Sequence, residues 1–303
     1  MANREESTSV RKLAYRYQRT IARSVHVRGI GYLTGASVNL HFHPASPGSG
    51  VQFLRTDLDG DAVIPACIGE VTASDRRTTL GRHPVQVGLV EHVLAALAGL
   101  RIDNCRVEID APEPPGMDGS AREFVELLLD AGIVLQAARR SVWRCPTPLL
   151  VSHKGTSLAL YPGPADELKI SYVLDYGPHS VIGRQAHTQV ITPESFVTEL
   201  APCRTFVLES EVAELRRHGL GVRTTAADLL VFGKDGPIDN RLRFANEPAR
   251  HKVLDLLGDL SLFGHDVRGH IVAYRSGHPL NAELVRKLAD QVAESKRPFL
   301  LAA

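Results

Sequence analysis

The sequence predicts an α+β fold of two similar domains, each a β-sheet packed with helices. Three observations point there. At 303 residues the chain is long for a single hydrophobic core. Strand-like stretches are followed by helical ones, in that order, twice over. Few of the strand-helix-strand alternations that build a parallel sheet occur between them. Hydrophobic residues at 44% and charged residues at 23% are ordinary globular values.

Residues 17–57 alternate in the manner of strands, as in Ser24-Val25-His26-Val27 and Ser37-Val38-Asn39-Leu40-His41-Phe42, with Gly and Pro between them. The run Gly29-Ile30-Gly31-Tyr32-Leu33-Thr34-Gly35 lacks the spacing of a dinucleotide-binding loop, and a strand rather than a helix follows, so it reads as a turn. Short strand-like pieces continue over 51–79. The first helix is expected over 87–98, where Val90, Val93, Leu94 and Leu97 fall at helical spacing and Gly99 can terminate it. Glu91 and His92 sit in its first turns. A strand at 105–109 and a Pro-rich loop follow. Ser120-Ala121-Arg122-Glu123 then has the form of a capping box, opening a helix that stops at Gly132.

Between 136 and 143 the periodicity lapses and Arg139-Arg140 intervenes. That sets the expected boundary between a first domain, 1–137, and a second, 138–303. Strands are expected next at 158–161 and 168–175, then helices at 193–200 and 209–218. A long helix follows at 248–263, with Asn246 as its cap and Gly264 past its end. A strand at 271–274, a loop Ser276-Gly277-His278-Pro279 and a helix capped by Asn281 come last.

Composition excludes several classes of function. A formal net charge of +1 gives no reason to expect a nucleic-acid partner. The basic pairs Arg139-Arg140 and Arg216-Arg217 read first as solvated charged faces and second as contacts for an anionic ligand. Cys67, Cys105, Cys145 and Cys203 form no C-x-x-C pair, so neither a thiolate metal knuckle nor a disulfide frame is expected, which fits a reducing compartment. The first 17 residues carry no apolar secretory segment, and the most apolar stretch, 89–100, is short and contains Glu91 and His92. A cytoplasmic protein without a transmembrane segment is expected.

The chemistry begins in the long helix, where His251, Asp255 and Asp259 recur every four residues and so share one face. With 13 histidines in the chain, that row alone reads as readily as a surface ion-pair stripe. Glu91-His92 alone is equally modest. Together they fit one chemistry: a hydrolytic zinc keeps about three ligands from His, Asp or Glu and one open position for water. His92, His251 and Asp255 supply such a set, and Glu91, next to a ligand, can take the water's proton. No H-E-x-x-H motif occurs, which disfavours the zincin proteases.

Several motifs now line up in order over 18–288: Leu89-Val90-Glu91-His92-Val93-Leu94-Ala95-Ala96-Leu97, Asp103-Asn104, Met117-Asp118-Gly119-Ser120, Arg204-Thr205-Phe206, Arg250-His251-Lys252-Val253-Leu254-Asp255-Leu256-Leu257-Gly258-Asp259-Leu260 and Ser276-Gly277-His278. This pattern resembles the UDP-3-O-acyl-N-acetylglucosamine deacetylase (LpxC) family, which performs the committed step of lipid A synthesis. The resemblance implies helices sandwiched between the two sheets. It implies Zn2+ on His92, His251 and Asp255, with Fe2+ as an alternative in the cell, and Glu91 as general base. His278 would be general acid or oxyanion stabiliser, with Asp259 holding its imidazole; Thr205 and Lys252 would lie near the oxyanion and the diphosphate. Either Glu91 or His278 could protonate the leaving amine.

The implied partner is a UDP-linked acylated N-acetylglucosamine, taken by a monomer with at most transient membrane contact. An insert near 205–232 would form a passage for the acyl chain. Val207, Leu208, Val212 and Leu215 are candidates to line it or to make the insert's own core. The chain departs from the family pattern at Leu33, where a histidine is usual, and at Val222-Arg223-Thr224-Thr225-Ala226-Ala227-Asp228, which replaces a glycine-rich run. That altered insert keeps open a related zinc amidohydrolase acting on another N-acetyl sugar nucleotide. A catalytically silent binding homologue is the third reading.

Overall fold

The computed structural model describes residues 10–60 and 62–295. Residues 1–9, the first part of the stretch searched for a secretory segment, lie outside the described residues. The first half of the chain forms β1 (Arg11–Ile21), β2 (Val25–Ile30), β3 (Ser37–Pro44), β4 (Val51–Arg55), β5 (Val63–Pro65), β6 (Val71–Ala73), β7 (Thr79–Arg82), β8 (Val85–Val87), α1 (Glu91–Gly99), β9 (Cys105–Ile109), α2 (Arg122–Asp130) and β10 (Ile133–Arg144). The second forms β11 (Leu149–His153), β12 (Thr156–Tyr161), β13 (Leu168–Asp175), β14 (Arg184–Val190), α3 (Pro193–Ser195), β15 (Phe206–Leu208), α4 (Glu209–Arg217), β16 (Leu230–Gly233), β17 (Gly236–Pro237), α5 (Glu247–Ser261), β18 (Asp266–Tyr274) and α6 (His278–Ser295).

Two large sheets enclose the helices. One runs β2-β3-β9-β4-β5; the other runs β1-β10-β18-β12-β11 and takes in β13 and β14 through β18. Strands such as β3 and β18 alternate buried and less buried residues, as a pleated strand with one face on a core must. α1 and α5 lie against each other, α2 rests on α1 and β2, and α5 and α6 cover β11 to β14. The class is α+β, as predicted. Among the described residues no helix is long and apolar enough to cross a membrane.

Several local expectations are corrected. The stretch 136–143 is not a break but the interior of β10, paired along β1 and, at Val142–Arg144, with β18. Its charged residues are tolerated because one strand face is solvated. α1 starts at Glu91 rather than 87, because β8 ends at Val87 and Leu89 takes φ 54°, turning the chain. α1 does end at Gly99, as expected, though not through a positive φ there. Gly99 admits the ring of Phe196, which a Cβ would meet at 2.2 Å, and the left-handed residue after α1 is Arg101, φ 58°.

The expected helix caps also differ. Ala121 precedes α2 and makes no side-chain cap, while the Ser120 hydroxyl donates to Asp118 and accepts from the Arg122 N–H, so no capping box forms. Asn246 does hold the N-cap position of α5, but its side chain makes no cap hydrogen bond; its Oδ1 accepts from Arg250 Nε at 2.8 Å instead. His278 and Pro279 open α6 instead of lying in a loop, since proline is suited to a first helical turn. Asn281, expected as a cap, is therefore inside the helix.

Candidate metal centre

α5 is buried nearly all round, and only such a helix can carry an acidic row into an interior. Val253, Leu254, Leu256, Leu257 and Leu260 fill the core on its flanks, while His251, Asp255 and Asp259 are 1%, 3% and 1% exposed. Its first turn is fixed by Glu247, fully buried, whose carboxylate takes Arg204 Nε at 2.8 Å and the Arg204 main-chain N–H at 3.0 Å. α1 approaches closely because Gly258 has no side chain: a Cβ there would stand 2.3 Å from the Glu91 carbonyl oxygen. Glu91 and His92, in the first turn of α1, therefore face the α5 row.

The nitrogen and oxygen atoms of His92, His251 and Asp255 lie within 4.8 Å of one another, the one such group among the described residues. His251 Nε2 is 3.3 Å and His92 Nε2 3.6 Å from the same carboxylate oxygen, Asp255 Oδ1. That oxygen is buried and has no hydrogen-bond partner. Burial pushes His251 down to about 4 and His92 below its ordinary range, so both rings are neutral at pH 7. His251 Nδ1–H donates to the Cys203 carbonyl at 3.1 Å, which leaves the Nε2 lone pair pointed at the carboxylate. Lone pairs facing each other across a buried gap call for a cation. Two imidazoles and one carboxylate are a donor set that fits a divalent metal with an open coordination position.

Beside this group stands a proton-handling set. His278 Nε2 is 3.9 Å from Glu91 Oε1 and 4.0 Å from Asp255 Oδ2. Its Nδ1–H donates to Asp259 Oδ2 at 2.8 Å, and Asp259 also takes Asn281 Nδ2 at 2.8 Å. Burial works against a charged His278, but Asp259, Glu91 and Asp255 outweigh it and lift the imidazole to about 9. Burial pushes Glu91 up to about 7, with His278 opposing and Asp255 and Asp259 adding to the shift. A carboxyl that titrates near neutrality thus faces an imidazole that titrates above it.

Three contributors escape sequence reasoning. The Thr78 hydroxyl donates to Asp259 Oδ1 at 2.6 Å and its N–H to Glu91 Oε2 at 3.1 Å, so one residue holds both carboxylates. Thr78 sits in a loop with no periodic signal. Asn281 and Gly258 were within the motifs or elements already marked, but neither their carboxylate contact nor the close helix approach is written in spacing.

Two expected residues sit less directly. Lys252 Nζ donates to Asp255 Oδ2 at 2.7 Å and lies 5.8 Å from the Phe206 ring centroid. Burial disfavours its charge, but Asp255 outweighs that and raises its pKa, so it stays an ammonium. Thr205 donates its N–H to the Gly119 carbonyl at 2.7 Å and accepts from Leu230 N–H at 3.0 Å; its hydroxyl makes no hydrogen bond among the described residues. It lies two positions beyond Cys203, the His251 partner.

The insert is a small sheet, β15-β16-β17, with α4 beside it. Val207, Leu208, Val212 and Leu215 are all half-buried. The altered run is tied to the turn between β2, which takes in Gly29 and Ile30, and β3: Arg223 Nη1 donates to the Gly35 carbonyl at 2.7 Å and Thr224 Oγ1 to that of Tyr32 at 2.8 Å.

An α+β frame that brings two histidines and an aspartate together, with a buried glutamate and a second histidine alongside, defines a metalloenzyme of the hydrolase type. The family model described as UDP-3-O-acyl N-acetylglycosamine deacetylase matches residues 18–290. A UDP-3-O-acyl-N-acetylglucosamine deacetylase of Trichormus variabilis is 40% identical over 276 residues, covering 89% of this chain and 98% of that one. The enzyme of the same name from Chlamydia abortus is 43% identical, covering 91% and 98%. A bifunctional enzyme LpxC/FabZ of Chlorobaculum tepidum is 38% identical over 307 residues, which cover 92% of this chain and 66% of the relative. The chain belongs to the UDP-3-O-acyl N-acetylglycosamine deacetylase family.

Proposed function

We propose that the protein removes the N-acetyl group of UDP-3-O-acyl-N-acetylglucosamine, giving acetate and UDP-3-O-acyl-glucosamine, the committed step of lipid A synthesis. The observation that carries this reading is the buried, unpartnered Asp255 Oδ1 between His251 and His92, flanked by Glu91 and His278. Zn2+ is the assigned ion, held by His92, His251 and Asp255, and Fe2+ suits the same donors. When bound it supplies Lewis acidity toward the amide carbonyl and the attacking water.

The chain's own residues do the rest. Glu91 accepts the proton of the attacking water. His278, protonated at neutral pH and held by Asp259, stands over the developing oxyanion and gives its Nε2 proton to the leaving amine. Its higher pKa relative to Glu91 supports that order of roles. Lys252 keeps a positive charge beside Asp255, and its position near Phe206 suits contact with an anionic part of the substrate. Thr205 is assigned to the oxyanion side through its hydroxyl, and Val207, Leu208, Val212 and Leu215 to the acyl passage. Two domains, 1–137 and 138–303, are supported by a five-stranded sheet drawn wholly from the first and by β11 to β14 and β18 of the second, with β1 and β10 joining them. A cytoplasmic location and a monomer belong to the same reading.

Acetate release from UDP-3-O-acyl-N-acetylglucosamine by purified, zinc-loaded protein tests it. Bound zinc without acetate would shift the assignment to another N-acetyl sugar nucleotide.

A further inference from the structure

A second polar cavity, of about 150 Å3, opens at the C-terminal ends of α1 and α5, away from the turns that carry Glu91, His92 and His251. Leu94, Leu97, Leu257 and Leu260 floor it, and four arginines, Arg16, Arg101, Arg140 and Arg268, line it with only Asp103 and Asp266 opposing them. Arg16 and Arg140 are spoken for. Arg16 pairs with Asp103 at 2.7 Å and Asp266 at 2.6 Å, and Arg140 with Asp266 at 2.8 Å. The side chains of Arg101 and Arg268 have no hydrogen-bond or ion-pair partner among the described residues. Four guanidiniums against two carboxylates leave a formal surplus of two positive charges.

Three facts argue that this surplus is kept for a ligand. Arg101 holds φ 58° immediately after α1, a conformation that favours glycine, so an arginine there is disfavoured by its own backbone. Burial and then the like charge of Arg268 lower its pKa; Asp266 opposes them in part, but Arg16 and Arg19 add to the lowering, so on balance the guanidinium is in an unfavourable field as the chain stands. Helix C-termini attract cations, and the ends of α1 and α5 account for part of the charge. Each helix end amounts to about half an elementary charge, however, so two of them offset only about half of the surplus, and neither free guanidinium hydrogen bonds to a terminal carbonyl.

We propose that this cavity binds a phosphoryl group, between the open forks of Arg101 and Arg268. A tetrahedral oxyanion accepts from two planar guanidiniums at once, and a dianion matches the surplus. The volume admits phosphate with a small organic substituent and nothing the size of a nucleotide. The site is built on the back of the two helices whose other ends carry the metal group. Arg139-Arg140, read from sequence as a solvated pair, divides here, with Arg140 turned into the cavity wall.

Equilibrium dialysis of the metal-loaded full chain against radiolabelled inorganic phosphate, at ionic strength fixed with chloride, tests the proposal. One saturable site is expected in the parent. R101Q/R268Q should weaken it by about tenfold or more, as loss of charge-assisted hydrogen bonds does. R101G guards against misfolding: it relieves the positive φ, should be at least as stable as the parent in a thermal melt, and should still bind phosphate more weakly. Phosphate held only at the metal group would persist unchanged in both variants, and that result, or no saturable binding in the parent, overturns the proposal. Competition with glycerol 3-phosphate separates two sources: displacement supports a phosphomonoester, and failure to displace supports the free ion.

Discussion

Asp259 Oδ2 accepts the Nδ1–H of His278 at 2.8 Å, and both side chains are buried. The pair fixes the imidazole so that Nε2 faces Glu91, and it raises the pKa of His278 to about 9. Asp259→Asn removes the largest favourable charge. The raised pKa then falls, so the protonated acid is lost at lower pH and the alkaline limb of the kcat profile moves down. A kcat loss of roughly tenfold or more with metal content unchanged is expected, read from rate profiles and metal analysis. An unmoved alkaline limb would detach Asp259 from the acid.

Glu91→Ala and His278→Ala should each lower kcat by about two orders of magnitude or more while the protein keeps its metal. His251→Ala should lower metal content instead, visible in a direct assay of purified protein. Near-normal acetate release by Glu91→Ala would remove it from the role of base.

Gly258→Ala places a methyl group 2.3 Å from the Glu91 carbonyl oxygen, and backbone cannot yield as a flexible side chain can. α1 must shift away from α5. A loss of about 1–3 kcal/mol in denaturant melts is expected, with weaker metal binding because Glu91 and His92 ride on that helix. Unchanged metal affinity would mean that the close approach does not set the site.

Thr78→Val keeps the volume and the main-chain donor to Glu91 but strips Asp259 Oδ1 of its hydroxyl partner. A cost of about 1–3 kcal/mol is expected for the buried carboxylate oxygen, with a reduced kcat and an unchanged metal content. Thr78→Ser should restore both.

Asp266, between Arg16 and Arg140, gives a pH signature far from the metal group. Burial opposes its charge, but hydrogen bonding and attraction from Arg16 and Arg140 hold its carboxyl at about 2, below the unfolded value of 3.8. A depressed carboxylate pKa contributes stability that is fully present above the unfolded value and is lost as pH falls through the folded one. The contribution is about 2 kcal/mol at neutral pH. Asp266→Asn should therefore melt well below the parent at pH 7, and the gap should narrow between pH 4 and pH 2. A constant gap across that range would rule out the linkage.

The α5 row was legible because helical period alone puts His251, Asp255 and Asp259 on one face, and the strands because their alternation survives in sequence. What spacing left open was whether the row met solvent or an interior. Tertiary structure decided that by burying α5 on all sides and bringing α1 onto it at Gly258, so that Glu91 and His92, some 160 residues away in the chain, complete the group. At 136–143 the strand went unread because one with a solvated face tolerates arginines, and only pairing with β1 reveals it as a strand. Thr78 and the open arginines of the second cavity carry no period and no motif. Their hydrogen bonds and charges have meaning only against neighbours that folding supplies.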